Sequence, residues 1–181
     1  MKILRLSISG LPNFKEPLSV DFVAQQRVDD DDMEQLYNVF SNIYTSQVIS
    51  FIGINASGKT TILKAISFTI DMLGNEPLNN IYSKEILDDL GDGQNVVFTV
   101  YFYHDNFIYK LNTVVQKAVF PMDGSERLII VDEALWSKQS CRVKTKKGIF
   151  DFKESDLSIR RDQNEQFLPD DVSIIIKKKK K

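Results

Sequence analysis

Cysteine, histidine and tryptophan are nearly absent from this 181-residue chain, which holds one of each. A single cysteine, Cys141, excludes an internal disulfide framework and a cysteine-based zinc site, and is expected to be a small packed residue. The lone histidine, His104, falls in His104-Asp105-Asn106, a turn sequence. No apolar run approaches the roughly 20 residues that a membrane-spanning helix needs. The opening Met1-Lys2-Ile3-Leu4-Arg5 starts a strand-like alternation and lacks the apolar stretch of a secretory leader. A soluble, cytoplasmic chain with no membrane partner is the expectation. An excess of basic charge is also missing. The formal net charge is −2, but taking Lys177 to Lys181 from the 23 basic residues leaves 18 against 25 acidic ones, or −7. Residues 1–176 are therefore acidic and lack the footprint of a dedicated nucleic-acid module. The five terminal lysines, a block of like charge, are expected to form a solvated tail.

What is present is a motif. Gly53-Ile54-Asn55-Ala56-Ser57-Gly58-Lys59-Thr60 fits G-x-x-x-x-G-K-[ST], a phosphate-binding loop. Gly53 and Gly58 allow backbone conformations that a side chain would obstruct. The loop's N–H groups can then turn inward around a polyphosphate. In this pattern Lys59 reaches the β- and γ-phosphates and the Thr60 hydroxyl holds Mg²⁺. Context supports it. Residues 47–52 form a short apolar, β-branched run, expected to be a buried strand. Residues 59–73 carry Ile62, Leu63, Ile66, Ile70 and Leu73 at helical spacing, with Ala65 and Phe68 between. Gly74 follows as a helix C′ residue.

An apolar content of 43% suits a real core, and the length suits one domain. Residues 2–8 and 18–22 alternate, with Leu4, Leu6, Ile8, Leu18, Val20 and Phe22 inward, and read as an antiparallel pair. Asp29 to Asp32 read as a solvated acidic run that caps a helix. Leu36, Val39, Phe40 and Ile43 then have the spacing of a short amphipathic helix. Ser83 is placed to cap a brief helix ending before Gly91-Asp92-Gly93. From Val96 onward the chain is β-rich, with strands expected over residues 96–103, 107–119, 127–136 and 141–152. Turns are expected at His104-Asp105-Asn106 and Lys146-Lys147-Gly148. No internal repeat is visible.

The loop GINASGKT resembles the GxNxSGK[ST] form of ABC-type ATPases. The opening LRLSISGLPNFKEPLSVDF is similar to the start of the RecF and SMC branch, particularly the AAA-family ATPases related to overcoming-lysogenization-defect proteins. The resemblance covers residues 1–75 and, more loosely, 95–150. It implies an α/β fold of the P-loop NTPase type: a partial domain over residues 1–176, with a core at 1–75 and an antiparallel β-lobe at 95–152. The lysine tail follows at 177–181. It also implies that Gly53, Ile54, Asn55, Ala56, Ser57, Gly58, Lys59, Thr60 and Thr61 bind ATP, with Thr60 on Mg²⁺. Family members act in DNA maintenance or phage defence, often as head-to-head dimers coupled to nucleic acid or an effector protein. The LSGGQ-type signature, the switch histidine and an assignable Mg²⁺-bridging glutamine are not found. Gln94, Gln116, Gln139, Gln163 and Gln166 are all candidates for the last. No guanine-reading N-K-x-D motif occurs.

One segment imitates the missing carboxylates. In residues 128–133 four apolar residues precede Asp132-Glu133, the pattern in which an Asp helps hold Mg²⁺ and a Glu polarises the attacking water. The same residues also read as a strand of the β-lobe, since Ala134-Leu135-Trp136 continues the strand. Three functions stay open. The chain is the ATP-binding N-terminal part of an ABC-type head whose hydrolytic motifs lie in a C-terminal remainder. Or it is a self-contained P-loop NTPase or kinase using Asp132 and Glu133. Or it is a non-enzymatic interaction domain.

Overall fold

The computed structural model describes residues 1–26, 34–55, 58–120, 124–162 and 168–175. The acidic run 29–32, Ala56, Ser57, Gln163, Gln166 and the lysine tail lie outside the described residues. Side-chain alternation builds the sheet. In strand β5 (Asn95–His104), Val96, Phe98, Val100 and Phe102 are buried at every second position, the period a pleated strand imposes. Asp105 and Asn106, at φ 47° and 64°, close a two-residue hairpin to β6 (Phe107–Val119). Two successive positive φ values match the right-handed strand twist, and Asp and Asn tolerate them. With β1 (Lys2–Ser9), β2 (Leu18–Asp21), β7 (Glu126–Gln139) and β8 (Leu157–Arg160) these strands form one six-stranded sheet, ordered β2-β1-β5-β6-β7-β8. Every neighbouring pair in it is antiparallel.

One face of the sheet carries the main core. Helix α1 (Lys59–Leu73) lies over it and buries Ala65, Phe68, Thr69, Met72 and Leu73. Phe68 stacks on Phe98 of β5, ring centroids 5.2 Å apart. The helix has the expected bounds, but its inward face differs from the expected stripe: Leu63 and Ile70 are exposed. Gly74 has helical dihedrals, φ −73°, so its freedom is not what ends α1. Asn75 takes the left-handed conformation instead, at φ 73°. Ser83 does not cap a helix. It lies inside a 3₁₀ turn, Tyr82–Leu87, that follows Ile81, and its buried hydroxyl has no hydrogen-bond partner among the described residues.

The other face is covered differently from expectation. Residues 36–43 are not a helix but a hairpin of β3 (Leu36–Phe40) and β4 (Ile43–Ser46), with Ser41 at φ 46°. Tyr37, Val39, Phe40, Ile43, Tyr44 and Thr45 are aromatic or β-branched. That composition suits a pleated surface and outweighs an i, i+3, i+4, i+7 coincidence. Phe40 stacks on Tyr103 of β5. A register shift between Ile3 and Arg5 in β1 turns Leu4 to this face, where it meets Val23, Ile43, Ile108 and Ile149, as an inserted residue does at a bulge.

Residues 141–152 also differ. They form 3₁₀ turns at Ser140–Arg142 and Lys147–Ile149 rather than a strand and hairpin, and Cys141 is exposed rather than packed. Two lysines hold this stretch. Lys138 Nζ donates to the Gly148 and Asp151 carbonyls, and burial holds its ammonium below the usual lysine value. Lys146 Nζ donates to the carbonyls of Ala24, Gln25 and Gln26 at 2.6, 3.1 and 2.5 Å. Lys146→Met removes all three charge-assisted bonds. It is expected to lower stability by about 2 kcal/mol, read as a lower urea midpoint at unchanged slope.

The largest departure is residues 47–52. They are coil, with Val48 80% and Ile52 96% exposed. A strand needs a neighbour to take its backbone groups, and among the described residues the backbone bond made here is at the first residue, Gln47 N–H to Gln35 O at 3.3 Å. The buried strand expected ahead of the loop is therefore not formed. α1 packs on the antiparallel sheet, and the fold is mixed α/β.

Candidate phosphate-binding site

The loop leads straight into α1. Gly58 is the residue before the helix and sits at φ 84°, ψ 7°, in the left-handed region. A side chain there costs roughly 1 kcal/mol or more, which explains the glycine. Ile62 N–H donates to Gly58 O at 2.9 Å and starts the helical ladder. The first N–H groups of a helix have no acceptor within it and carry its positive dipole end. No acid occupies the first turn of α1 to neutralise that end.

Lys59 folds back over the loop. Its Nζ donates to Gly53 O at 2.8 Å and to Ile54 O at 2.6 Å. The ammonium, two loop carbonyls and the start of α1 are thus gathered at one place. Gly53, Ile54, Asn55 and Thr60 are exposed, and Thr61 is half-buried. Among the described residues no group of three or more His, Cys, Asp and Glu side chains is placed to hold a metal ion. Near the loop, Thr60 is the oxygen donor that the motif supplies.

Asp132 and Glu133 are held elsewhere. Both lie within β7, opposite Val114 and Thr113 of β6. Asp132 pairs with Arg160 of β8 at 3.2 Å. Glu133 is fully buried. Its Oε1 accepts from Thr113 Oγ1 at 2.8 Å and Ser173 Oγ at 2.6 Å, and its Oε2 accepts from Ile174 N at 2.8 Å. Burial raises its pKa above the ordinary carboxylate value, only partly opposed by those bonds and by Arg161. As arranged, Glu133 ties residues 173–174 to the sheet.

The surrounding bonds do the same. Ile130 N–H donates to Asp170 O at 2.7 Å, Leu78 N–H to Asp171 O at 2.8 Å, and Arg161 to the Pro169 and Val172 carbonyls. Residues 168–175 form a strap joining β7 to the turn that follows α1. Sequence reasoning did not foresee it. A Ser-Ile pair far along the chain carries no local sign that a buried glutamate will receive it.

Comparison of the chain with models of known families, with characterised proteins and with solved structures finds no match.

Proposed function

We propose that residues 53–61 bind the phosphates of a nucleoside triphosphate together with Mg²⁺, and that the nucleotide is ATP. One observation carries this reading: a left-handed glycine opens a 15-residue helix with no acid in its first turn, and the next residue's ammonium lies over the loop. Gly53, Asn55, Gly58, Lys59, Thr60 and Thr61 would hold the phosphates, with Thr60 toward the metal. Bound Mg-ATP would supply the phosphoryl group and the divalent charge that neutralises it. The choice of ATP rests on the likeness of residues 53–60 to the ABC-type loop.

Glu133 bears on the rest. Its oxygens are spent on Thr113, Ser173 and Ile174, and Asp132 faces Arg160. That arrangement favours an ATP-binding head over a self-contained NTPase using this pair. Hydrolytic carboxylates would then come from polypeptide packed against the exposed apolar residues Val48, Ile52, Ile54, Leu63 and Ile70. Such a covering fits the C-terminal remainder of an ABC-type head and, beyond it, a head-to-head homodimer that couples ATP to nucleic acid or an effector protein. DNA maintenance or phage defence is the setting that the resemblance suggests.

The test is calorimetric titration with Mg-ATP. Lys59→Ala removes a charge-assisted bond worth about 2 kcal/mol, so affinity should fall roughly thirtyfold. Equal affinity in wild type and variant would sink the reading and leave the interaction-domain alternative.

A further inference from the structure

Gly58 is backed by a side chain from far upstream. Phe14 lies in the connection between β1 and β2, where its N–H donates to Leu11 O at 3.2 Å in a turn with Asn13 at φ 67°. Asn13 Nδ2 donates to Asp89 Oδ2 at 3.2 Å and ties that turn to the segment after Tyr82–Leu87. Phe14 is half-buried and packs on the main core. Its ring faces the bare side of Gly58: a Cβ added there would lie 3.2 Å from Phe14 Cζ and 3.7 Å from Cε1. The positive φ favours glycine at position 58, and a Cβ there would also push on the ring by a few tenths of an ångström.

We propose that Phe14 is a positioning residue for phosphate binding, acting through Gly58. The ring is a floor under the left-handed turn. It fixes the backbone at Gly58 where α1 begins, and so the direction of the N–H groups at the helix start. Phe14 itself meets no phosphate. It is a half-buried apolar side chain packed against the core, and it acts by denying Gly58 the space to shift toward it. The β1–β2 connection thereby belongs to the site, although nothing in the loop motif refers to it. This proposal rests on the reading of residues 53–61 as a phosphate site.

The experiment is a double-mutant cycle read by Mg-ATP titration of the full chain, with F14A, F14L, G58A and F14A/G58A beside wild type and K59A. Circular-dichroism melts report folding in parallel. F14A should lose on the order of ten- to a hundredfold in affinity, the scale of misplacing a binding group by an ångström. F14L should recover most of that loss. F14A should cost much less in the G58A background, because removing the ring also relieves the crowding that a Cβ at position 58 meets there. Where F14A fails to fold, F14V, which removes the ring but keeps more apolar volume, completes the same cycle in the wild-type and G58A backgrounds. Wild-type affinity retained by F14A while K59A loses it overturns the proposal and leaves the phosphate site standing. Additive losses from F14A and G58A overturn it as well. If wild type itself takes no Mg-ATP, the phosphate site falls and this proposal with it.

Discussion

Glu133→Ala is expected to lower the free energy of unfolding by about 3 kcal/mol or more. The carboxylate is fully buried and serves three donors: the Thr113 hydroxyl, the Ser173 hydroxyl and the Ile174 N–H. Each buried donor left without an acceptor costs roughly 1–3 kcal/mol, and the side-chain void adds to that. The strap should loosen first. Urea unfolding measures the total, and amide exchange at residues 173–175 locates it. A loss below about 1 kcal/mol would mean that the strap does not depend on this side chain.

Glu133→Gln separates geometry from charge. Gln keeps an acceptor oxygen for the same site without an ionisable proton. Burial raises the Glu133 pKa above the ordinary carboxylate value, so the fold favours the protonated carboxyl. The stability this group contributes is complete below the unfolded value and is lost as pH rises through the raised folded value. Measured as a difference, wild type minus E133Q, stability should therefore decline from about pH 4.5 upward and level off once Glu133 is ionised in the folded state. Subtraction removes the titration of every other carboxylate. A flat difference would contradict the assignment.

Phe68→Ala is the second large effect, at about 3–5 kcal/mol. Phe68 is completely buried, stacks on Phe98 and is central to the contact between α1 and the sheet. Its loss leaves a cavity beneath the helix that the loop enters. Chemical denaturation should show the loss, and Mg-ATP affinity should weaken with it if α1 carries the site. Phe68→Leu should recover more than half of the stability, since it keeps most of the apolar volume.

The β5–β6 hairpin was legible from sequence because alternation and turn chemistry agree there. Val96 to Phe102 alternate cleanly, and Asp105-Asn106 accepts two positive φ values. α1 was legible in extent but not in facing. Leu63 and Ile70 are apolar on one flank while Ala65, Phe68 and Met72 are apolar on the other, and periodicity alone does not choose between them. Residues 36–43 satisfied a helical spacing by coincidence, and their β-branched and aromatic content decided the outcome. Residues 47–52 read as a buried strand because they are apolar on both faces. Burial on both sides needs neighbours, which a sequence window does not reveal. The loop motif was plain, and its Gly58 took the left-handed turn that the pattern asks for. Phe14 beneath it and the Ser173–Glu133 contact join residues far apart in sequence, beyond the reach of any local signal.

The central claim, that Mg-ATP is held at residues 53–61, is tested most directly by hydrogen–deuterium exchange with and without Mg-ATP. Protection is expected at the amides of residues 55–62, stronger than anywhere in β6 or β7, and it should be absent in Lys59→Ala. Unchanged exchange at those residues, or protection concentrated elsewhere in the chain, would contradict the account.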